Sequence, residues 1–143
     1  AKVGVPNQFG LIQSARNAIS PKKRPLSSMT PTIVVDSDSQ IKIATGSPGG
    51  PTIINSVLHT VLQSVYFGRN VHDVVSAPRF HHQWKPEVLQ LEKPLSGVRK
   101  SLESLGYETA SRSLGDVHAG SWSRRSGVIM SSDPRGTGDA LAE

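Results

Sequence analysis

The chain has 143 residues, enough for one domain or a piece of a larger one. It has no cysteine, which excludes disulfide frameworks and thiolate metal sites, and its hydrophobic fraction of 36% allows only a modest core. The formal net charge of +5 comes with only 3 Phe, 2 Trp and 2 Tyr, and the basic clusters at Lys22, Lys23 and Arg24 and at Arg124 and Arg125 fall in loops. They read as solvated surface rather than as a nucleic-acid interface, which needs basic residues interleaved with aromatics or set along one helix face.

Residues 1–24 contain Gly4, Pro6, Asn7, Gly10, Asn17 and Pro21 and show little periodicity, so an irregular segment lying against something else is expected. Thr32-Ile33-Val34-Val35 is β-branched throughout and Ile41-Lys42-Ile43-Ala44 alternates, which predicts a hairpin joined by residues 36–40. Asp36-Ser37-Asp38 resembles the start of a calcium loop, but the glycine and distal glutamate of such a loop are missing, so a plain turn is the better reading.

Pro51 follows Gly49-Gly50 at a helix-start position. Ile53, Ile54, Val57, Leu58, Val61, Leu62 and Val65 then recur at helical spacing and predict one apolar stripe, with His59 near the polar side and Gly68 as the stop. A short helix from Val71 to about Ser76 ends before Pro78. Val88-Leu89-Gln90-Leu91 reads as a strand, and Leu95, Val98, Leu102 and Leu105 as a second amphipathic helix closed by Gly106. Residues 117–130 suggest a final hairpin through Arg124-Arg125-Ser126-Gly127. Mixed strand and helix signals with hairpins at both ends favour a layered α/β fold. No apolar run approaches the roughly 18–20 residues needed to span a bilayer.

Two short stretches carry chemistry. Gly46-Ser47-Pro48-Gly49-Gly50 puts two unhindered backbone N–H groups at a strand-to-helix junction, where the helix dipole adds partial positive charge. Such a pair suits an oxyanion, although a tight turn needing positive φ would explain the same glycines. It is not a phosphate loop, because no Lys-Ser/Thr follows. Ser27 and Ser28 in Pro25-Leu26-Ser27-Ser28-Met29 offer paired hydroxyls suited to a carboxylate.

His81-His82 invites a metal reading, but adjacent residues in extended chain point to opposite sides and cannot easily share one ion, so no metal site is expected. A Ser-His-Asp triad can be assembled on paper from Ser47, His81 and Asp133. Gly-Ser-Pro-Gly-Gly, however, is not a nucleophile elbow.

Read in order, Gly4-Val5-Pro6-Asn7, the run Lys23 to Thr32, Gly46 to Gly50, Ala77 to Trp84, Gly115 to Ala119 and Ser132 to Gly136 resemble the small subunit of the γ-glutamyltranspeptidases, also called glutathione hydrolases, in their bacterial form. The resemblance implies an αββα sandwich of the N-terminal nucleophile hydrolase type, present here only in part, with residues 1–143 as a partial small-subunit domain. It further implies self-cleavage of a precursor, a large subunit as partner, glutathione or another γ-glutamyl compound as substrate, and no cofactor.

Carried over by motif, Ser27 and Ser28 hold the substrate's α-carboxylate, and Gly49 and Gly50 form the oxyanion hole. The family's nucleophilic threonine and the strands around it have no counterpart here, and residue 1 is Ala rather than Met, so the chain is expected to be truncated and inactive alone. A non-catalytic light-chain remnant serving as an interaction or structural domain is the alternative; a cephalosporin acylase or a poly-γ-glutamate-processing enzyme is a further one. The family suggests a periplasmic or secreted location.

Overall fold

The computed structural model describes residues 3–142. Strands β1 (Thr32–Val35) and β2 (Ile41–Gly46) form the expected antiparallel hairpin, with Ile33 opposite Ala44 and Val34 opposite Ile43. Its loop is built by Asp36, whose Oδ1 accepts hydrogen bonds from the Asp38 and Gln40 N–H groups, both at 2.9 Å. That carboxylate does turn chemistry, as the sequence suggested.

The C-terminal hairpin adds β6 (His118–Ser123) beside β2 and β7 (Gly127–Ser131) outside it, completing a four-stranded sheet of order β1-β2-β6-β7. Gly127, at φ +65°, supplies the left-handed turn residue.

Strand alternation gives the sheet two different faces. Ile43 and Ala119, with partly buried Val34 and Ile129, pack against Val71, Val75 and Val117. On the other face Ile33, Ala44, Gly120 and Met130 line up across the four strands by direct pairing. Ile33 there is 66% exposed and Met130 42%, so this apolar face is uncovered.

Helix α1 spans Thr52–Val61 and α2 spans Val71–Ser76, where Asn70 caps by accepting from the Asp73 N–H at 2.9 Å. The long stripe predicted from Ile53 to Val65 needs correction. The helical course does reach Tyr66, its last turn being π-helical over Leu62–Tyr66, but the buried side of α1 is Thr52, Ile53, Ser56, Val57 and Thr60 rather than the whole stripe.

Ile54, Leu58 and Val65 are about half exposed. The reason is close approach: a Cβ on Gly115 would lie 2.6 Å from Ser56 Oγ, so the inner face takes small hydroxyl residues, and Thr60 satisfies its own by donating to Ser56 O at 2.9 Å. His59, expected to be exposed, is half-buried with its ring 4.5 Å from that of Phe80.

A second, three-stranded sheet joins β3 (Phe80–His81), β4 (Leu89–Leu91) and β5 (Thr109–Ser111). The β4–β5 pair is parallel, so the chain crosses over between them, through a 3-10 segment at Lys93–Val98 and the short helix α3 (Arg99–Ser104). Pro94 at the segment's start and Gly97 near its end shorten the single amphipathic helix expected there.

The two sheets are tied together by a buried charge cluster. Arg79 Nη1 donates to Asp133 Oδ2 at 2.7 Å, and Arg135 bridges Asp133 and Glu92 with bonds of 2.5–2.8 Å. Burial opposes ionisation of both Asp133 and Glu92. The bonds from the Val117 N–H and Arg135 to Asp133, and from Arg135 and the Leu114 N–H to Glu92, outweigh it and hold both carboxyls below their ordinary range.

Candidate active site

A cavity of about 840 Å³ opens between the N-terminal segment and the start of α1, with Ser27, Ser28, Gly50, Asn55 and His81 in its wall. The N-terminal segment forms one side by local turn chemistry. Asn7 Oδ1 accepts from the Phe9 N–H at 2.9 Å and the Leu11 N–H at 3.1 Å, which folds Phe9 inward. The Phe9 ring then lies so close to Gly50 that a Cβ there would be 2.8 Å from it.

Gln83 secures the same turn by donating from Nε2 to Phe9 O at 3.0 Å and to Lys85 O at 2.9 Å. With both amide hydrogens used, Gln83 Oε1 is the acceptor of its 2.9 Å contact with His81, so His81 Nε2 carries the proton.

Of the four residues singled out from the sequence, Ser27, Ser28 and Gly50 share the cavity wall across more than twenty positions of chain, and Gly49 stands next to Gly50 in its loop. Ser28 Oγ donates to Gly50 O at 2.8 Å, and Ser27 Oγ accepts from the Met29 N–H at 3.1 Å. Ser27 is exposed and, among the described residues, gives its hydroxyl hydrogen to no protein acceptor, whereas half-buried Ser28 has spent its hydrogen on the glycine loop.

Gly49 and Gly50 have φ of +137° and +60°, so the turn requirement and the open N–H groups coexist. Among the described residues, neither amide donates to a protein acceptor. Two unmasked N–H groups thus precede a ten-residue helix, and Gly50 shares the cavity wall with the Ser27 hydroxyl, an arrangement able to receive an anion.

The paper triad of Ser47, His81 and Asp133 is not assembled. Asp133 is committed to Arg79 and Arg135, His81 to Gln83, and Ser47 Oγ to the Pro48 carbonyl and the Asp116 N–H. Asp133 sits instead where Arg79, Arg135 and the Val117 N–H all donate to its carboxylate.

A Ser132–His118–Asp116 chain does occur, with Ser132 Oγ 2.8 Å from His118 Nδ1 and His118 Nε2 3.5 Å from Asp116 Oδ1, but none of the three borders the cavity. Among the described residues no group of three or more His, Asp or Glu side chains is placed to hold a metal ion. Sequence reasoning missed Phe9, Gln83 and Asn55 as wall residues; Asn7 followed by Gly10 was the one local signal for the turn that brings Phe9 in.

The model of the γ-glutamyltranspeptidase family matches residues 1–143. The chain belongs to that family. It is 44% identical over 144 residues to the glutathione hydrolase proenzyme of Escherichia coli K12, covering 99% of this chain and 25% of that protein. To the glutathione hydrolase proenzyme of Pseudomonas sp. strain A14 it is 49% identical over 112 residues, 77% of this chain and 19% of that one. The chain thus spans about a quarter or less of the length of these curated relatives.

Among solved structures, a γ-glutamyltranspeptidase from Pseudomonas nitroreducens complexed with L-DON superposes with a TM-score of 0.90 at 32% identity, over 100% of this chain and 76% of that one. A point mutant of the Helicobacter pylori enzyme superposes with a TM-score of 0.86 at 39% identity, over 95% and 76%. The chain therefore has the α/β layered fold of the γ-glutamyltranspeptidases, built here from the four-stranded sheet, the three-stranded sheet and their helices. No helix among the described residues is long and apolar enough to cross a membrane.

Proposed function

We propose that this chain, as residues 1–143, is the greater part of the small subunit of a γ-glutamyl transferase and hydrolase acting on glutathione and related γ-glutamyl compounds. The observation that supports the reading is the meeting of Ser27, Ser28 and Gly50 at one cavity, with Gly49 next to Gly50 in the same loop, in a chain of this family.

In the proposed reaction a threonine supplied from outside this chain attacks the γ-glutamyl carbonyl, and its own α-amino group takes the proton. Charge then develops on the carbonyl oxygen, and the Gly49 and Gly50 N–H groups receive it. Each well-aimed donor is worth about 2.7–4 kcal/mol at that step.

Collapse of the tetrahedral intermediate releases the amine with a proton and leaves a glutamyl ester. Water or an acceptor amine attacks that ester in turn. Ser27 and Ser28 grip the substrate's α-carboxylate, Ser27 directly and Ser28 after turning its hydrogen away from Gly50 O. Nucleophile, base and oxyanion donors are all protein groups, so the reaction as written calls for no cofactor.

A large subunit of the same precursor is the proposed partner. Support comes from the uncovered face bearing Ile33 and Met130 and from the half-exposed Ile54 and Leu58 on α1, apolar surfaces that a second set of layers would bury. We assign the complete protein to the periplasm or the exterior of the cell, which fractionation of expressing cells checks.

The function is tested by assaying a full-length protein containing this chain for release of a chromogenic amine from a γ-glutamyl anilide. Turnover is expected, with KM raised more than kcat is lowered in Ser27→Ala. A folded, self-cleaved protein that releases nothing would overturn the proposal.

A further inference from the structure

We infer that Ser47 and Thr52 are positioning residues that aim the two oxyanion donors, an inference that rests on the proposed acyl-transfer reading. A trans peptide holds its C=O and N–H antiparallel in one plane, so whatever grips the carbonyl also directs the N–H. The Gly49 N–H shares its plane with the Pro48 carbonyl, and Ser47 Oγ donates to Pro48 O at 2.7 Å. The Gly50 N–H shares its plane with the Gly49 carbonyl, and Thr52 Oγ1 donates to Gly49 O at 3.0 Å.

Each donor N–H is therefore backed by a hydroxyl, joined at the Gly49 carbonyl by the longer 3.3 Å bond from the Thr52 N–H. The device is needed because both peptides end in glycine, where either plane could otherwise turn at little steric cost. Space confirms the arrangement at Gly49: a Cβ there would lie 2.5 Å from Thr52 Oγ1, so the glycine makes room for the hydroxyl that holds its carbonyl.

The hydroxyls are themselves fixed. Thr52 is 3% exposed. Ser47 Oγ also accepts from the Asp116 N–H at 3.2 Å, and Gly115 packs so tightly that a Cβ on it would be 3.0 Å from Ser47 Oγ. The segment carrying Gly115 and Asp116 is held at both ends by the buried charges. Leu114 N–H donates to Glu92 Oε1 and Arg79 Nη1 to Leu114 O, both at 2.9 Å, and Val117 N–H donates to Asp133 Oδ2 at 2.7 Å. A rigid support thus runs from the charge cluster through Ser47 to the donor loop.

The test uses the full-length, self-cleaved protein and its Ser47→Ala, Ser47→Thr and Thr52→Val variants, with turnover of the γ-glutamyl anilide normalised to cleaved protein. Ser47→Ala and Thr52→Val should each lower the acylation rate about tenfold, less than the 10²–10³ of deleting a donor, with KM within about twofold. Ser47→Thr, which keeps the hydroxyl, should restore most of the rate.

A merely structural role would instead change the thermal midpoint and KM together with kcat. Should Ser47→Ala fail to fold, Thr52→Val carries the test alone. Wild-type rates in both hydroxyl-deleted variants of an active protein would overturn this inference and leave the functional reading standing. An inactive wild-type protein would overturn the reading and the inference together.

Discussion

Asp133→Ala is the sharpest perturbation of this molecule. The side chain of Asp133 is fully buried and accepts four hydrogen bonds, from Arg79 Nη1 and the Val117 N–H at 2.7 Å each, from Arg135 Nη1 at 2.8 Å and from the Arg135 N–H at 3.0 Å. Its removal strands the Arg79 guanidinium, 1% exposed, leaving it among the described residues only the Leu114 and Val75 carbonyls.

Arginine cannot shed its proton to escape, so the charge stays. Breaking a buried pair from one side costs about 3–5 kcal/mol, and the orphaned Val117 N–H adds to the upper part of that range. Against a typical net stability of about 5–15 kcal/mol this is a large fraction.

Small proteins have urea slopes of about 1–3 kcal/mol per molar and larger ones steeper, so in a full-length protein containing this chain the midpoint should fall by about 1 M. The double variant Arg79→Met with Asp133→Leu should lose less than Asp133→Ala alone, because it removes the stranded charge with its partner. A loss below about 1 kcal/mol for Asp133→Ala, or a double variant worse than the single, would refute the argument that an unpaired buried charge sets the cost.

Three further outcomes are expected. Gly50→Ala must place a Cβ 2.8 Å from the Phe9 ring at φ +60°, so activity should be lost, and pairing it with Phe9→Ala should recover fold but little rate, as read from thermal midpoint and turnover. Stability should fall on acidification in two stages. Burial, helped by Arg79, lowers the pKa of His59, so its contribution is full above about pH 6.5 and declines below it; that of Asp133 and Glu92, also lowered, is full above about pH 4 and declines below that. Midpoints that rise between pH 7 and 5 would contradict this. The isolated 143-residue chain should bind a hydrophobic-surface dye strongly through the Ile33–Met130 face, and Ile33→Thr with Met130→Thr should cut that signal; unchanged binding would place the exposed surface elsewhere.

Local chemistry wrote much of this molecule legibly. The β1–β2 hairpin follows from four β-branched residues, an alternating run and an aspartate that folds its own loop. The start of α1 follows from Gly-Gly-Pro, and the last hairpin from a glycine able to adopt positive φ. The sequence also singled out Ser27, Ser28, Gly49 and Gly50 as a candidate anion-binding set, and Ser28 does reach Gly50, although the glycines equally serve the turn their positive φ requires.

What tertiary structure alone decided depends on contacts between distant positions. Arg79 and Asp133 are 54 residues apart, so the aspartate offered by the sequence as a triad member belongs instead to a buried charge cluster. Which half of the α1 stripe is buried depends on Gly115 approaching within reach of Ser56, a closeness no periodicity encodes. The bond that fixes Ser47 beside the glycine loop comes from the Asp116 N–H, 69 residues away. Propensity and turn chemistry act over a few residues, whereas burial of charge and close packing are settled only when the whole chain has found its place.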